Sequence, residues 1–142
     1  MRFWDSSALV PLVLEEPASV ACRRALRVDP VMAVWALTRT EMVSAIRRRE
    51  RAGDLDAADV ATALGRIESR AARWTEVDAL EHVRQRAERL LGVHALRAAD
   101  ALQLGAALAV FDDRPRGRLF LTRDADLAGA AGREGFSVMV PT

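Results

Sequence analysis

The sequence predicts an α/β domain built on a mainly parallel sheet of about five short strands. Three observations carry that reading. Apolar runs of strand length, at residues 1–4, 31–35 and 119–122, alternate with longer segments of helical periodicity. The runs are apolar throughout, as strands covered on both faces are. Acidic residues follow several of them, where open parallel sheets place their ligand sites.

In chain order, residues 1–4 form the first strand, ending at Asp5. Residues 6–14 read as a helix, and Pro17 suits the first turn of a second, reaching residue 26. Asp29-Pro30 is a turn before the second strand at 31–35. Residues 38–51 are helical with Met42, Val43 and Ile46 inward, and Gly53-Asp54 ends them. The clearest amphipathic stripe is Val60, Leu64, Ile67, Ala71 and Trp74. Residues 75–77 make a short third strand. Asp78 with Glu81 reads as a capping box for a helix through residue 91, which Gly92 punctuates. A helix carries Asp100 to about Phe111, and residues 112–117 form a polar loop. A fourth strand at 119–122, a helix at 124–131, a turn framed by Gly132 and Gly135, and a last strand at 137–140 complete the chain.

A length of 142 residues with 51% hydrophobic content describes one domain, residues 1–142, with its own core. Net charge is +1, so no global field draws the chain to nucleic acid or membrane. All 21 basic residues are arginine, which excludes lysine Schiff-base chemistry and a lysine-dependent phosphate loop. A single cysteine, Cys22, excludes an internal disulfide and a cysteine zinc site. Two histidines, His82 and His94, are too few for a histidine metal cluster. No apolar run has membrane-spanning length and no signal-peptide pattern opens the chain, so a cytoplasmic protein is expected.

Asp100 stands out, lying among alanines and leucines in a helix that reads as buried. A carboxylate there needs compensation by an arginine, a shifted pKa or a metal ion. Arg97, three residues earlier, is the nearest candidate partner. Asp5, Glu41 and Asp124 follow strands at one presumed edge. Each also has an ordinary structural reading: Asp5 and Asp124 as helix N-caps, Glu41 as the partner of Thr38 in a capping box. Converging carboxylates repel and raise one another's pKa unless a cation neutralises them. An oxygen-only set without His or Cys selects Mg2+ or Mn2+, which suits phosphoryl chemistry.

At these residues the chain resembles a known family. The opening Asp5-Ser6-Ser7-Ala8-Leu9, a glutamate near residue 40, the segment Leu96-Arg97-Ala98-Ala99-Asp100-Ala101-Leu102-Gln103-Leu104, and Leu121-Thr122-Arg123-Asp124 look like the PIN domain. More narrowly, they look like VapC-type toxins of type II toxin–antitoxin modules. The resemblance covers essentially the whole chain. It implies a three-layer α/β/α fold and a Mg2+- or Mn2+-dependent ribonuclease that leaves 5′-phosphate and 3′-hydroxyl ends. Asp5, Glu41, Asp100 and Asp124 match the family's four acids. Ser7 and Thr122 match its hydroxyl positions around the metal, and Asp126 is an additional acid beside them. A cognate antitoxin whose C-terminal segment places a basic side chain in the acidic pocket is also implied, as is a homodimer.

Arginine clusters favour phosphate backbones. The run Arg47-Arg48-Arg49 with Arg51 reads either as a solvated helix face or as an RNA contact. Arg114, Arg116, Arg118 and Arg123 are expected beside the Asp124 region, and Arg97, Arg116 and Arg123 are the side chains expected to meet RNA. Aromatics make up only 5%, so base-stacking platforms are not expected. The helices around residues 20–26 and 42–46 offer either a groove for a partner helix or ordinary core packing.

Three other readings compete with this one. A PIN domain without catalysis would bind RNA or a partner only. A phosphoacceptor receiver domain would share strand-end acids but carry a functional lysine, which is missing here. A haloacid-type phosphatase would place an Asp where Ser7 stands.

Overall fold

The computed structural model describes residues 1–142. Five strands form one wholly parallel sheet: β1 (Arg2–Trp4), β2 (Met32–Trp35), β3 (Thr75–Val77), β4 (Leu119–Leu121) and β5 (Ser137–Met139). Their order is β3-β2-β1-β4-β5, and each neighbouring pair is parallel. The helices are α1 (Ser6–Leu9), α2 (Ser19–Val28), α3 (Thr38–Arg51), α4 (Ala57–Ala71), α5 (Leu80–Val93), α6 (Ala98–Val110) and α7 (Ala125–Glu134).

Strand pleating divides the core. Phe3, Ala33, Trp35 and Phe120 pack with α5, α6 and α7 on one face. Trp4, Met32, Val34 and Leu121 pack with α1 to α4 on the other. Alternate side chains therefore enter different hydrophobic layers, which explains why the strands read as continuous apolar runs. The result is the expected three-layer α/β/α arrangement.

Several local expectations change. The first helix stops at Leu9, because Pro11 enters a 3-10 turn over Val10–Leu12. Helix α2 starts at Ser19 rather than at Pro17; Ser19 Oγ donates toward Pro11 and Leu14 carbonyls and accepts from Glu16 N. Asp78 and Glu81 form no capping box. Ala79 caps α5, and the true box joins Asp56 and Asp59 at α4. Gly92 lies within α5, and Gly132 within α7. Met42 and Ile46 are fully buried and Cys22 is too, so these three side chains pack as core.

Strand order decides where a site can form. From β1 the chain goes first to β2 on one side and later to β4 on the other. The carboxyl ends of β1 and β4 therefore flank a topological switch point, where open parallel sheets leave a crevice.

Candidate functional site

Asp5 and Thr122 are the first residues beyond β1 and β4, so they meet at that crevice. Asp5 is 4% exposed and Thr122 fully buried. Asp5 Oδ2 accepts from Ser7 N at 3.2 Å, from Thr122 Oγ1 at 2.9 Å and from Ser7 Oγ. Each hydroxyl also receives a backbone N–H: Arg123 N donates to Ser7 Oγ at 2.8 Å, and Asp124 N to Thr122 Oγ1 at 3.0 Å. One carboxylate oxygen is thus fixed by a rigid local network. The other, Oδ1, meets only Ser6 Oγ at 3.4 Å. Ser6 has one proton, and the 2.7 Å bond to Glu41 Oε2 is much the better geometry for it.

Glu41 lies in the first turn of α3 and is half-buried. Its Oε2 also accepts from Gln103 Nε2 at 3.0 Å. Gln103 is 1% exposed and also donates to Thr38 Oγ1 at 3.1 Å. Thr38 is therefore no N-cap; Leu37 occupies that position without a side-chain bond, and the expected Thr38–Glu41 capping box does not form. Asp124 does cap α7, with Oδ1 accepting from Leu127 N at 2.7 Å.

Asp100 occupies the first turn of α6. It is half-buried at the helix end, not enclosed in the core, since Ala98 and Ala99 are exposed and complete burial begins at Ala101. The apolar run continues inward while its first turn borders the crevice. Arg97 is exposed and makes no ion pair with Asp100, whose carboxylate has neither a salt-bridge nor a hydrogen-bond partner. Desolvation and then the charges of Asp124, Asp5 and Glu41 push its pKa up to about 6, and Arg97 offsets this least. Burial also raises Asp5, against the hydrogen bonds from Ser7 and Thr122. Burial raises Glu41, against bonds from Ser6 and Gln103. The four carboxylates thus share one electrostatic neighbourhood with no paired cation inside it.

No three acids are drawn close enough to form a finished cage. This agrees with their mutual repulsion, and a hexahydrated-type cation does not need one: Mg2+ keeps several waters and uses one or two carboxylates. The donor set is all oxygen, its free oxygens lie on Asp5, Asp100 and Asp124, and its charge is uncompensated. These residues fit a hard divalent cation.

Two clefts open from the acids. One, of about 460 Å3, is lined by Arg97, Asp100, Asp124 and Asp126 with Ala95 and Leu96. The other, of about 490 Å3, runs between α1 and α3 past Ser6, Glu41, Thr40, Ser44 and Arg48. The largest cavity, about 650 Å3 between α2 and α4, contains Met32 from the start of β2 and no carboxylate. It lies at the opposite edge of the sheet and cannot serve this chemistry.

The predicted arginines separate. Arg97 lines the first cleft, and Arg123 follows β4 at the acidic edge, where it pairs with Glu16 at 2.7 Å. Arg116 does not lie there: with Arg114 and Arg118 it precedes β4, and in a parallel sheet strand starts face away from strand ends. Ser6, Thr38 and Gln103 were missed by the sequence reading. The available signal was Gln103, a second polar residue one helical turn after Asp100 on an otherwise apolar segment.

A family model described as PIN domain matches residues 2–133. No curated protein matches the chain. Among solved structures it is similar to a toxin–antitoxin complex from Klebsiella pneumoniae, at 17% identity and TM-score 0.66, covering 100% of this chain and 98% of that one. FitAcB from Neisseria gonorrhoeae is similar at 19% identity and TM-score 0.67, covering 99% and 98%. PAE2754 from Pyrobaculum aerophilum is similar at 21% and 0.62, covering 96% and 87%.

Proposed function

The chain belongs to the PIN-domain family, and we propose that it is a Mg2+- or Mn2+-dependent endoribonuclease acting as the toxin of a toxin–antitoxin module. The observation that carries this reading is the placement of four acids around the switch point: Asp5 just beyond β1, Glu41 joined to it through Ser6, and Asp100 and Asp124 lining one cleft, none with a paired cation. Asp5 and Asp100 are the principal metal ligands, with Glu41 and Asp124 supporting the metal or orienting water. When bound, the cation neutralises the carboxylates, polarises a phosphate oxygen and lowers the pKa of water.

The protein's own part is preorganisation. Ser7 and Thr122 hold Asp5 in one orientation, so its free oxygen does not have to be ordered during reaction. Ser6 and Gln103 do the same for Glu41. Asp126 lines the Asp100–Asp124 cleft, where its carboxylate would orient a water. Arg97 lines the same cleft and offers phosphate a counter-charge.

Likeness to a toxin–antitoxin complex supports a cognate antitoxin as partner. Exposed Val20, Val28 and Val31 leave apolar surface for such a partner or for a second copy in a homodimer. No helix is long and apolar enough to cross a membrane.

The test is RNA cleavage with Mg2+ or Mn2+ by the unaltered protein and by Asp5→Asn and Asp100→Asn. Both substitutions are expected to abolish metal-stimulated cleavage. Unaltered cleavage by both would overturn the reading, and RNA binding without any cleavage by the unaltered protein would identify a binding module instead.

A further inference from the structure

We infer that the cleft between α1 and α3 is a phosphodiester subsite, in which Arg48 grips an RNA phosphate outside the bond that is cut. This rests on the ribonuclease reading and adds a binding residue to it. The observation is a sorting of the arginine run on α3. Arg47 pairs with Glu50 at 2.8 Å, and Arg49 pairs with Glu16 at 2.7 Å. Arg48 has no carboxylate partner and lines the cleft that contains Glu41.

Helical spacing explains the sorting. Thr40, Ser44 and Arg48 recur every four residues, so they form one stripe along α3. Glu41 shares that face through its i+3 neighbour Ser44, and Arg48 lies about 10 Å from it along the axis, at about 1.5 Å per residue. The backbone of Arg48 thus stands two turns of α3 beyond Glu41, which suits its side chain to a phosphate neighbouring the one held at the acids. The hydroxyls of Thr40 and Ser44 border the same cleft, offering donors to phosphate or ribose oxygens. Val10 and Ala45 give the cleft an apolar wall.

The acids themselves require such a group. A strand of phosphates approaching four carboxylates meets like charge, and an arginine without a carboxylate partner at the far end of the cleft offsets it. The continuous opening from Glu41 to Arg48 favours the substrate strand as occupant over a partner's acidic peptide. With Arg97 in the opposite cleft, each side of the acid cluster carries one unpaired arginine.

The experiment compares Arg48→Ala with Arg47→Ala, a neighbour whose charge is already paired. Binding of a labelled single-stranded RNA is followed in EDTA at several salt concentrations, and cleavage kinetics are measured with Mn2+. Loss of one phosphate contact should weaken binding by about tenfold and reduce the salt slope by about 0.7, uniformly across sequences. KM should rise with kcat little changed, because the contact is made equally in ground and transition states. Arg47→Ala should match the unaltered protein. With a dinucleotide too short to span the cleft, the difference between Arg48→Ala and the unaltered protein should vanish.

Unchanged RNA binding and KM in Arg48→Ala would overturn the subsite, as would an equal loss in Arg47→Ala or a loss that persists with the dinucleotide. Weakened antitoxin binding with RNA affinity intact would overturn it in favour of a protein contact. In each of these cases Asp5→Asn would still abolish cleavage. Failure of the unaltered protein to bind or cut any RNA would instead remove the ribonuclease reading together with the subsite.

Discussion

Gln103 Nε2 donates to Glu41 Oε2 across 3.0 Å, tying α6 to α3 directly beneath the acid cluster. The same amide nitrogen donates to Thr38 Oγ1 at 3.1 Å, so one buried side chain satisfies two groups of the opposite layer. Gln103→Leu keeps the volume and removes both bonds. It should destabilise the fold by about 1–3 kcal/mol, the cost of leaving buried polar groups unpaired. It should also lower kcat by freeing Glu41. Urea denaturation and cleavage kinetics check both; an unchanged denaturation midpoint would contradict the role assigned to Gln103.

Asp100 has no internal partner, so Asp100→Asn removes repulsion without breaking an ion pair. The metal-free variant should be as stable as the unaltered protein or more so, while metal-stimulated cleavage is lost. Thermal denaturation in EDTA separates this from the alternative. A large loss of stability would point to a structural pair with Arg97, as expected when one partner of an ion pair is removed.

The acid cluster also sets a pH dependence. Asp5, Glu41 and Asp100 all have raised pKa values in the folded protein, Asp100 at about 6. The folded state therefore binds more protons than the unfolded state between the ordinary carboxylate range and about pH 6, and stability falls as pH rises through that window. The stabilising share is complete below the unfolded pKa values and lost above the folded ones. Asp29, Asp113 and Glu134 are held down by ionic partners, so their contribution fails only at lower pH. In EDTA the melting temperature should be higher near pH 5 than near pH 7.5, and Mn2+ should reduce or reverse the difference by favouring the ionised cluster. A melting temperature in EDTA that climbs across this interval would be the contrary result.

Gly105 is required where α6 crosses α5. A Cβ there would meet the Val83 carbonyl oxygen at 2.9 Å and Ala87 N at 3.2 Å, both backbone atoms that cannot swing aside. Gly105→Ala should destabilise by about 1–3 kcal/mol through overpacking, although alanine is the better helix former. Denaturant titration would show a lower midpoint; a higher one would mean that helix propensity outweighs the clash.

Much of this arrangement was legible in the residues. The central strands β1, β2 and β4 fall within a residue or two of their apolar runs, because a strand covered on both faces needs apolar side chains at every position, whereas the edge strands β3 and β5 are partly exposed. Helix α3 begins and ends where its periodicity does, at Thr38 and Arg51. Helix starts were less legible, since capping depends on backbone angles. Thr38–Glu41 and Asp78–Glu81 have the spacing of a capping box, but only Asp56–Asp59 adopts its geometry. Glu41 and Thr38 are instead recruited by Gln103, 62 and 65 residues further along the chain. No local pattern encodes that competition.

By itself, the sequence determined the fold class, the absence of lysine and histidine-cluster chemistry, and the candidate acids Asp5, Glu41, Asp100 and Asp124. Those follow from composition, periodicity and residue type, which are local properties. The tertiary structure decided which neighbours each acid has. It placed Asp5 against Thr122 by setting β1 beside β4, moved Asp100 from an imagined core to the crevice rim, and left Arg97 unpaired. It also sent Arg116 to the far edge and, of the arginine run on α3, left Arg48 alone facing the cleft with Glu41. The reason is physical: burial, pairing and charge depend on side chains brought together across the sheet, and strand order, not spacing along the chain, sets those meetings.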